Sequence, residues 1–465
     1  MDKYKKLISN TLIFTIGTFS SKVLVFLLMP FYTRVLTRGE FSTADLIVQT
    51  SNLIIPIVSV GISNAIIRFG LDKAVDKRDV FTGGITIIGC GYALFLLLRP
   101  VLTLIPMIEE HTHLIYLYVL TSCLRSLCSQ FVRSREYVRL YAFDGVLSTI
   151  TVIIFNVLFL LVFQLGITGY VIATICSDLF SAIFLFWIAG LRRFIQFNKM
   201  NWRVARDMLR FAMPLIPANI FWWITNVSDR YFVSYMISED ANGLYAMAYK
   251  IPTMIILVSG IFTDAWQMSA ITENDSGRDK FYTNVASAYQ AVIFTAGSGL
   301  ILFTKLLGKI FWSPEFYDAW HYVPLLVVAT VFSCFVTFLG SIYMAEKRSV
   351  ATLVTTIAVA VLNVILNFLL IPTFGVNGAA FATFISYFTV FALRAVDTRR
   401  FVKIHWNLPK LMSNIAVLLV QSWIMLQAKD NWIYPVAGLC ALMIAMNFRL
   451  LLTNLHKVLS RRKRS

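Results

Sequence analysis

Roughly fourteen apolar stretches of about 20 residues follow one another along this chain, separated only by short polar turns. A helix of that length rises ~30 Å, the thickness of a bilayer's hydrocarbon core. No water is available there to satisfy backbone N–H and C=O groups, so spanning segments must be helices. The sequence therefore predicts an all-α integral membrane protein. Its spans are read at 8–29, 41–67, 80–104, 113–133, 143–163, 168–189, 208–236, 242–267, 281–303, 322–344, 350–371, 375–395, 409–427 and 431–453. Hydrophobic residues make up 58% of the 465 and charged residues 14%, against about 25% charged in soluble domains. The apolar run from Leu7 continues to Met29 with no small-residue cleavage site, which reads as a retained first span. Little sequence is left over for a soluble catalytic domain.

The formal net charge is +17, but its distribution argues against nucleic acid as a partner. Most of the 41 Lys and Arg fall in the two tails and in alternate loops with their flanks. That asymmetry is the positive-inside pattern, and it places both termini in the cytoplasm of a cell whose cytoplasmic (inner) membrane holds the chain. The basic loops and the tail Arg461-Arg462-Lys463-Arg464 are expected to rest on anionic lipid headgroups, at about 1 kcal/mol per basic residue. The six cysteines (Cys90, Cys123, Cys128, Cys176, Cys334 and Cys440) form no CxxC and no metal spacing, so they read as free buried thiols. His111 and His113 beside Glu109 and Glu110 have a metal-like composition, which solvent exposure of a short loop explains equally well.

An internal repeat organises the chain. Leu165-Gly166-Ile167-Thr168-Gly169 with Ala173-Thr174 and Ser177 returns as Phe374-Gly375-Val376-Asn377-Gly378 with Ala382-Thr383 and Ser386. Upstream, Asn156-Val157-Leu158 parallels Asn367-Phe368-Leu369. An even number of spans separates the copies, so both halves point the same way. Two parallel six-helix bundles around a central cleft is a transporter plan, with the substrate path between them. The alternative is that Gly-x-x-Gly merely recurs at span starts, where small residues are common. On the first reading residues 1–200 form an N-terminal bundle and 201–405 a C-terminal bundle. Residues 406–465 add two helices and a basic tail.

Charges inside spans are costly, at least ~2.5–3.5 kcal/mol against lipid, so they should face protein or water. Lys22, Asp45, Asp229, Arg230 and Lys250 share the outer half of the predicted bilayer, on spans 1, 2, 7 and 8. Arg68, Asp264 and Arg210 lie nearer the cytoplasm. Lys22, Arg230 and Lys250, with Arg68 at the cytoplasmic mouth, are candidate binders of an anionic substrate. Asp45, Asp229 and Asp264 are candidates for gating or for a coupling ion. The competing reading is interhelical ion pairs or snorkelling, strongest for residues near span ends. Asp144 and Asp178 read as polar contacts within the first bundle. Pro214, Pro217 and Pro252 should kink helices beside the cleft. Trp222 and Trp223 lie mid-span, where packing and sugar stacking compete. No Walker loop, HExxH or GxSxG occurs, and the outer loops are too short for a catalytic domain, so no enzyme is expected.

Taken together, several motifs resemble one family. They are Phe19 to Lys22, Met29-Pro30-Phe31-Tyr32-Thr33-Arg34-Val35-Leu36 and Gly39-Glu40-Phe41 near the start. Further along come Pro214-Leu215-Ile216-Pro217, Asp229-Arg230-Tyr231, Gly243-Leu244-Tyr245, Tyr249-Lys250 and Ala265-Trp266-Gln267. The chain resembles the Wzx-type oligosaccharide flippases of the polysaccharide biosynthesis group. These belong to the MOP superfamily with multidrug (MATE) exporters and MurJ-type lipid II flippases. Met268 departs from a proline often found after Trp-Gln. The resemblance implies translocation of an undecaprenyl-diphosphate-linked oligosaccharide to the outer leaflet by alternating access, for a capsule, O-antigen or other surface glycan. It implies no cofactor beyond a coupling proton or sodium ion, and partners among polysaccharide assembly proteins. Two other readings stand beside it: a cation-coupled exporter of amphipathic drugs, and a glycan polymerase or ligase.

Overall fold

The computed structural model of the chain describes residue 26 and residues 28–272, 278–346, 348–427 and 431–462. Among these the secondary structure is helical throughout, without strands, as hydropathy predicts. Among the described residues eleven helices are long and apolar enough to cross a membrane. Of the other three predicted spans, 8–29 lies mostly outside the described residues. Ile216–Met236 is helical but carries Asp229 and Arg230, and Ile433–Phe448 is a shorter apolar helix.

The chain divides into two compact units, Met1–Trp223 and Ile224–Ser465. The first contains α1 (Met29–Val35), α2 (Arg38–Val58), α3 (Ile62–Leu71), α4 (Lys77–Leu96), α5 (Arg99–Leu102), α6 (Thr112–Ser134), α7 (Val138–Asn156), α8 (Gly166–Ile188) and α9 (Trp202–Ala212). Helix α10 (Ile216–Met236) carries the chain across the division. The second contains α11 (Glu239–Ala248), α12 (Thr253–Thr272), α13 (Arg278–Phe311), α14 (Val323–Ala345), α15 (Ser349–Phe374), α16 (Val376–Asp397), α17 (Leu408–Gln427) and α18 (Ile433–Arg462). The last two pack on α13 and on each other, within the second unit.

Local chemistry sets the boundaries. Thr37 and Glu40 close a capping box at the start of α2, each accepting from the other's backbone N–H. The predicted second span is broken at 59–61, where Val60 and Gly61 take positive φ after Pro56 has removed a helical donor. The seventh span was expected to start at 208, and here the structure corrects the sequence reading. Trp202–Ala212 is a separate amphipathic helix that buries Ala205, Met208 and Ala212 and exposes Arg203, Arg206, Asp207 and Arg210. A tight turn at Met213–Leu215, containing Pro214, ends it before α10 begins. The eighth span is interrupted too, because Tyr249–Pro252 separates α11 from α12. Both breaks sit at prolines that the sequence singled out as kinks.

The repeat recurs in backbone geometry. Gly166 and Gly375 both take positive φ, at 52° and 59°. Three residues on, a Cβ at Gly169 would lie 3.0 Å from the Phe159 carbonyl oxygen, and one at Gly378 would collide with that of Leu370. Asn156 and Asn367 each donate from Nδ2 to the carbonyl four residues earlier, at 2.7 and 2.9 Å. In each unit one helix of a triplet packs on both others: α8 on α6 and α7, and α16 on α14 and α15. Small residues permit that close approach. Gly378→Ala is accordingly expected to destabilise the second unit by about 1–3 kcal/mol. Gly89→Ala, which meets nothing within 4 Å, should leave stability unchanged or raise it by up to about 1 kcal/mol. Equilibrium unfolding in detergent compares the two, and equal stabilities would refute the packing account.

Candidate functional site

In the second unit one carboxylate gathers the polar groups. Asp229 of α10 is 0% exposed, and Tyr245 Oη and Tyr249 Oη donate to its Oδ2 at 2.7 and 3.0 Å. The hydroxyl of Thr383 donates to the same oxygen at 3.3 Å, while the Arg230 backbone N–H donates to Oδ1 at 2.9 Å. Helical spacing explains the convergence. Tyr245 and Tyr249 are four apart, as are Thr383 and Tyr387 and also Asn363 and Asn367, so each pair lies on one helix face.

A chain of amides and hydroxyls extends from this centre. Asn363 Nδ2 donates to Thr383 Oγ1 at 3.4 Å. Asn363 Oδ1 accepts from Ser228 at 3.2 Å and from Asn367 Nδ2 at 3.0 Å. Tyr387 donates to Asn226 Oδ1 at 2.5 Å. Burying this many polar atoms is tolerable only because they satisfy one another. The Asn367 Oδ1 atom is buried with no hydrogen-bond partner. Several oxygens are thus brought around one wholly buried carboxylate, a donor set able to hold a proton or a hard monovalent cation.

The two cationic candidates of this unit are chain neighbours of residues in that centre, Arg230 of Asp229 and Lys250 of Tyr249. Arg230 is 7% exposed, with its guanidinium 5.0 Å from the Tyr249 ring centroid. Lys250 sits in the non-helical break between α11 and α12, where Thr253 donates to its carbonyl at 2.5 Å.

The first unit holds a second buried cluster. Arg125 of α6 donates from Nη1 to Asp178 Oδ1 at 2.9 Å and lies 3.8 Å from Asp144 Oδ2. Its Nε donates to Ser181 at 3.2 Å, and Ser122 donates to Asp178 at 2.5 Å. Ser181 also donates to Asp144. Asp144 and Asp178 were expected as contacts inside this bundle, and they are; Arg125, which binds both, was missed. A cation in mid-span flanked by serines was the available signal. The same oversight hid Arg394, 5% exposed, which donates to Thr355, Thr356 and the Val336 carbonyl and ties α16 to α14 and α15.

The remaining candidates are dispersed. Asp45 is buried in α2 and accepts from Gln49 at 3.5 Å. Arg68 is exposed at the end of α3, its guanidinium 4.8 Å from the Phe211 ring. Lys22 and the side chain of Asp264 lie outside the described residues. Of the mid-span tryptophans, Trp222 is 61% exposed, while Trp223 donates to the Gln49 carbonyl at 2.9 Å. Cys90 is exposed, correcting the expectation of uniformly buried thiols, and all six cysteines are free.

Residues 7–267, more than half of the chain, match the family described as Polysaccharide biosynthesis protein. The chain belongs to that family. Among curated relatives of this family member is a Haloferax volcanii protein named "Probable low-salt glycan biosynthesis flippase Agl15". It is 24% identical over 216 residues, or 45% of each chain. An Lsg-locus protein of Haemophilus influenzae is 24% identical over 267 residues, 54% of this chain and 62% of its own. The alignments thus span about half of the curated relatives' length. Among solved structures, the lipid II flippase MurJ in an inward closed conformation aligns with a TM-score of 0.69 at 14% identity. It covers 98% of this chain and 100% of its own. An inward-facing multidrug resistance MATE transporter of the MOP superfamily aligns with a TM-score of 0.62 at 15% identity, covering 83% of this chain and 98% of its own. The family member therefore has the fold of MOP-superfamily transporters.

Proposed function

We propose that this protein is a flippase for undecaprenyl-diphosphate-linked oligosaccharides, moving them from the cytoplasmic to the outer leaflet by alternating access. The observation that carries the reading is a wholly buried, hydroxyl-ringed carboxylate, Asp229, inside a multi-pass member of a polysaccharide biosynthesis family. The names of Agl15 and MurJ, a glycan and a lipid II flippase, support the same class of cargo. A sugar-diphosphate head needs cations in a polar path, whereas its polyprenyl tail can stay in lipid. Lys22, Arg230, Lys250 and Arg68 are assigned to that head. Asp229, with Asp45 and Asp264, is assigned to gating or to a coupling proton or sodium ion. Both termini are placed in the cytoplasm, in the cytoplasmic membrane, with anionic lipids and other assembly proteins as neighbours. No bond is made or broken on the cargo.

The test is to deplete the protein in its host and assay lipid-linked oligosaccharide in each leaflet. Complete repeat units should accumulate on the cytoplasmic side and redistribute on re-expression. Normal outer-leaflet units with raised sensitivity to cationic drugs would replace this reading by the drug exporter. In the same assay, neutralising Lys22 and Lys250 together (K22Q/K250Q) is expected to lower translocation at least tenfold. Unchanged translocation would remove these lysines from the path.

A further inference from the structure

Helix α9 presents a stripe of cations that the assignments above leave unused. Arg203, Arg206 and Arg210 fall at i, i+3 and i+7 and are all exposed, with Asp207 beside them. The opposite face is held against the first unit by small residues. Ala205 lies 3.5 Å from where a Cβ at Gly83 of α4 would stand, and the Ala212 carbonyl oxygen 3.7 Å from one at Gly61. Gly61 and Leu71 are ten residues apart, so α3 rises about 15 Å between them. Since Ala212 reaches Gly61, α9 runs alongside α3 and does not cap its end. Its arginine stripe therefore climbs about 10 Å along the helix, from the basic end of α3 and α4 toward the interior.

Arg68 completes the set from α3. Its guanidinium is fixed against Phe211, the residue after Arg210. Among the described residues none of the four arginines forms an ion pair. Guanidinium forks match phosphate oxygens in bidentate geometry, which a lysine ammonium cannot do.

We propose that Arg68, Arg203, Arg206 and Arg210 form a ladder that captures the diphosphate of a polyprenyl-diphosphate lipid on the cytoplasmic side of the first unit. The proposal rests on the flippase reading and on the orientation given by the basic loops. Bulk phospholipid phosphates occupy a single level at the interface, whereas this stripe runs in depth. Two adjacent phosphates can also engage two rungs at once and move from one pair to the next, which a single phosphodiester cannot.

The full chain in phosphatidylcholine nanodiscs tests this by native mass spectrometry, with undecaprenyl diphosphate as probe. Phosphatidylglycerol and undecaprenol serve as competitors. Wild type should retain the diphosphate over both competitors. The R203Q/R206Q/R210Q variant should retain it at least tenfold less, with the R203K/R206K/R210K variant between the two. Should the glutamine variant fail to fold, the lysine variant and R68K decide, each expected to bind more weakly than wild type with an unchanged melting curve. Wild-type binding in those variants would overturn the ladder. Displacement by phosphatidylglycerol as readily as by excess diphosphate would reassign it to bulk anionic lipid. A wild-type chain that binds no diphosphate yet translocates glycan in the leaflet assay would lose the ladder and keep the flippase reading.

Discussion

Asp229→Asn is expected to lower translocation at least tenfold while the protein still folds. The substitution preserves shape and changes only charge and one pair of hydrogen-bond roles. Three hydroxyls, those of Tyr245, Tyr249 and Thr383, donate to Oδ2, and a backbone N–H donates to Oδ1. An amide nitrogen at either position faces a donor, so at least one hydrogen bond is lost, at about 1–3 kcal/mol. That is a tolerable loss of stability for a chain this size. The functional loss is larger because an asparagine can neither take up a proton nor neutralise a bound cation. Tyr245→Phe separates the two effects, removing one donor and keeping the carboxylate. It should cost similar stability and retain most translocation in the leaflet assay. If Asp229→Asn transports as wild type does, the carboxylate is structural and carries no coupling role.

Hydropathy exposed the multi-pass plan because a bilayer punishes any polar backbone left facing it. The prolines at 214 and 252 marked the breaks in the seventh and eighth predicted spans by the same local chemistry, a missing donor. Asp229 stood out as a charge in mid-span. Its partners did not, because Tyr245, Thr383 and Asn363 are ordinary in apolar helices and meet only when α10, α11, α15 and α16 are packed. Separations of 16 and 154 residues leave no periodic trace. The start of the seventh span was misread because Met208, Leu209, Phe211 and Ala212 look like the beginning of an apolar run. In the fold they are one face of a helix whose other face carries arginine.

Removing Arg125 should cost the first unit about 3–5 kcal/mol of stability. Asp144 and Asp178 are 1% and 5% exposed, and Arg125 is the cation that both face. Arg125→Leu would strand two buried carboxylates close together, which is why the penalty exceeds that of the lost hydrogen bonds alone. R125L/D144N/D178N should recover most of the loss, since neutral amides need no counter-charge. Arg394 makes the contrast. Its partners are hydroxyls and a carbonyl, and Thr355 and Thr356 already donate to the Ala351 and Thr352 carbonyls. Arg394→Leu strands no charge, so its loss should stay below about 3 kcal/mol. Equilibrium unfolding of the three variants in detergent decides the matter. Equal losses for Arg125→Leu and Arg394→Leu, with no recovery in the triple variant, would mean that packing and not charge balance holds both three-helix clusters together.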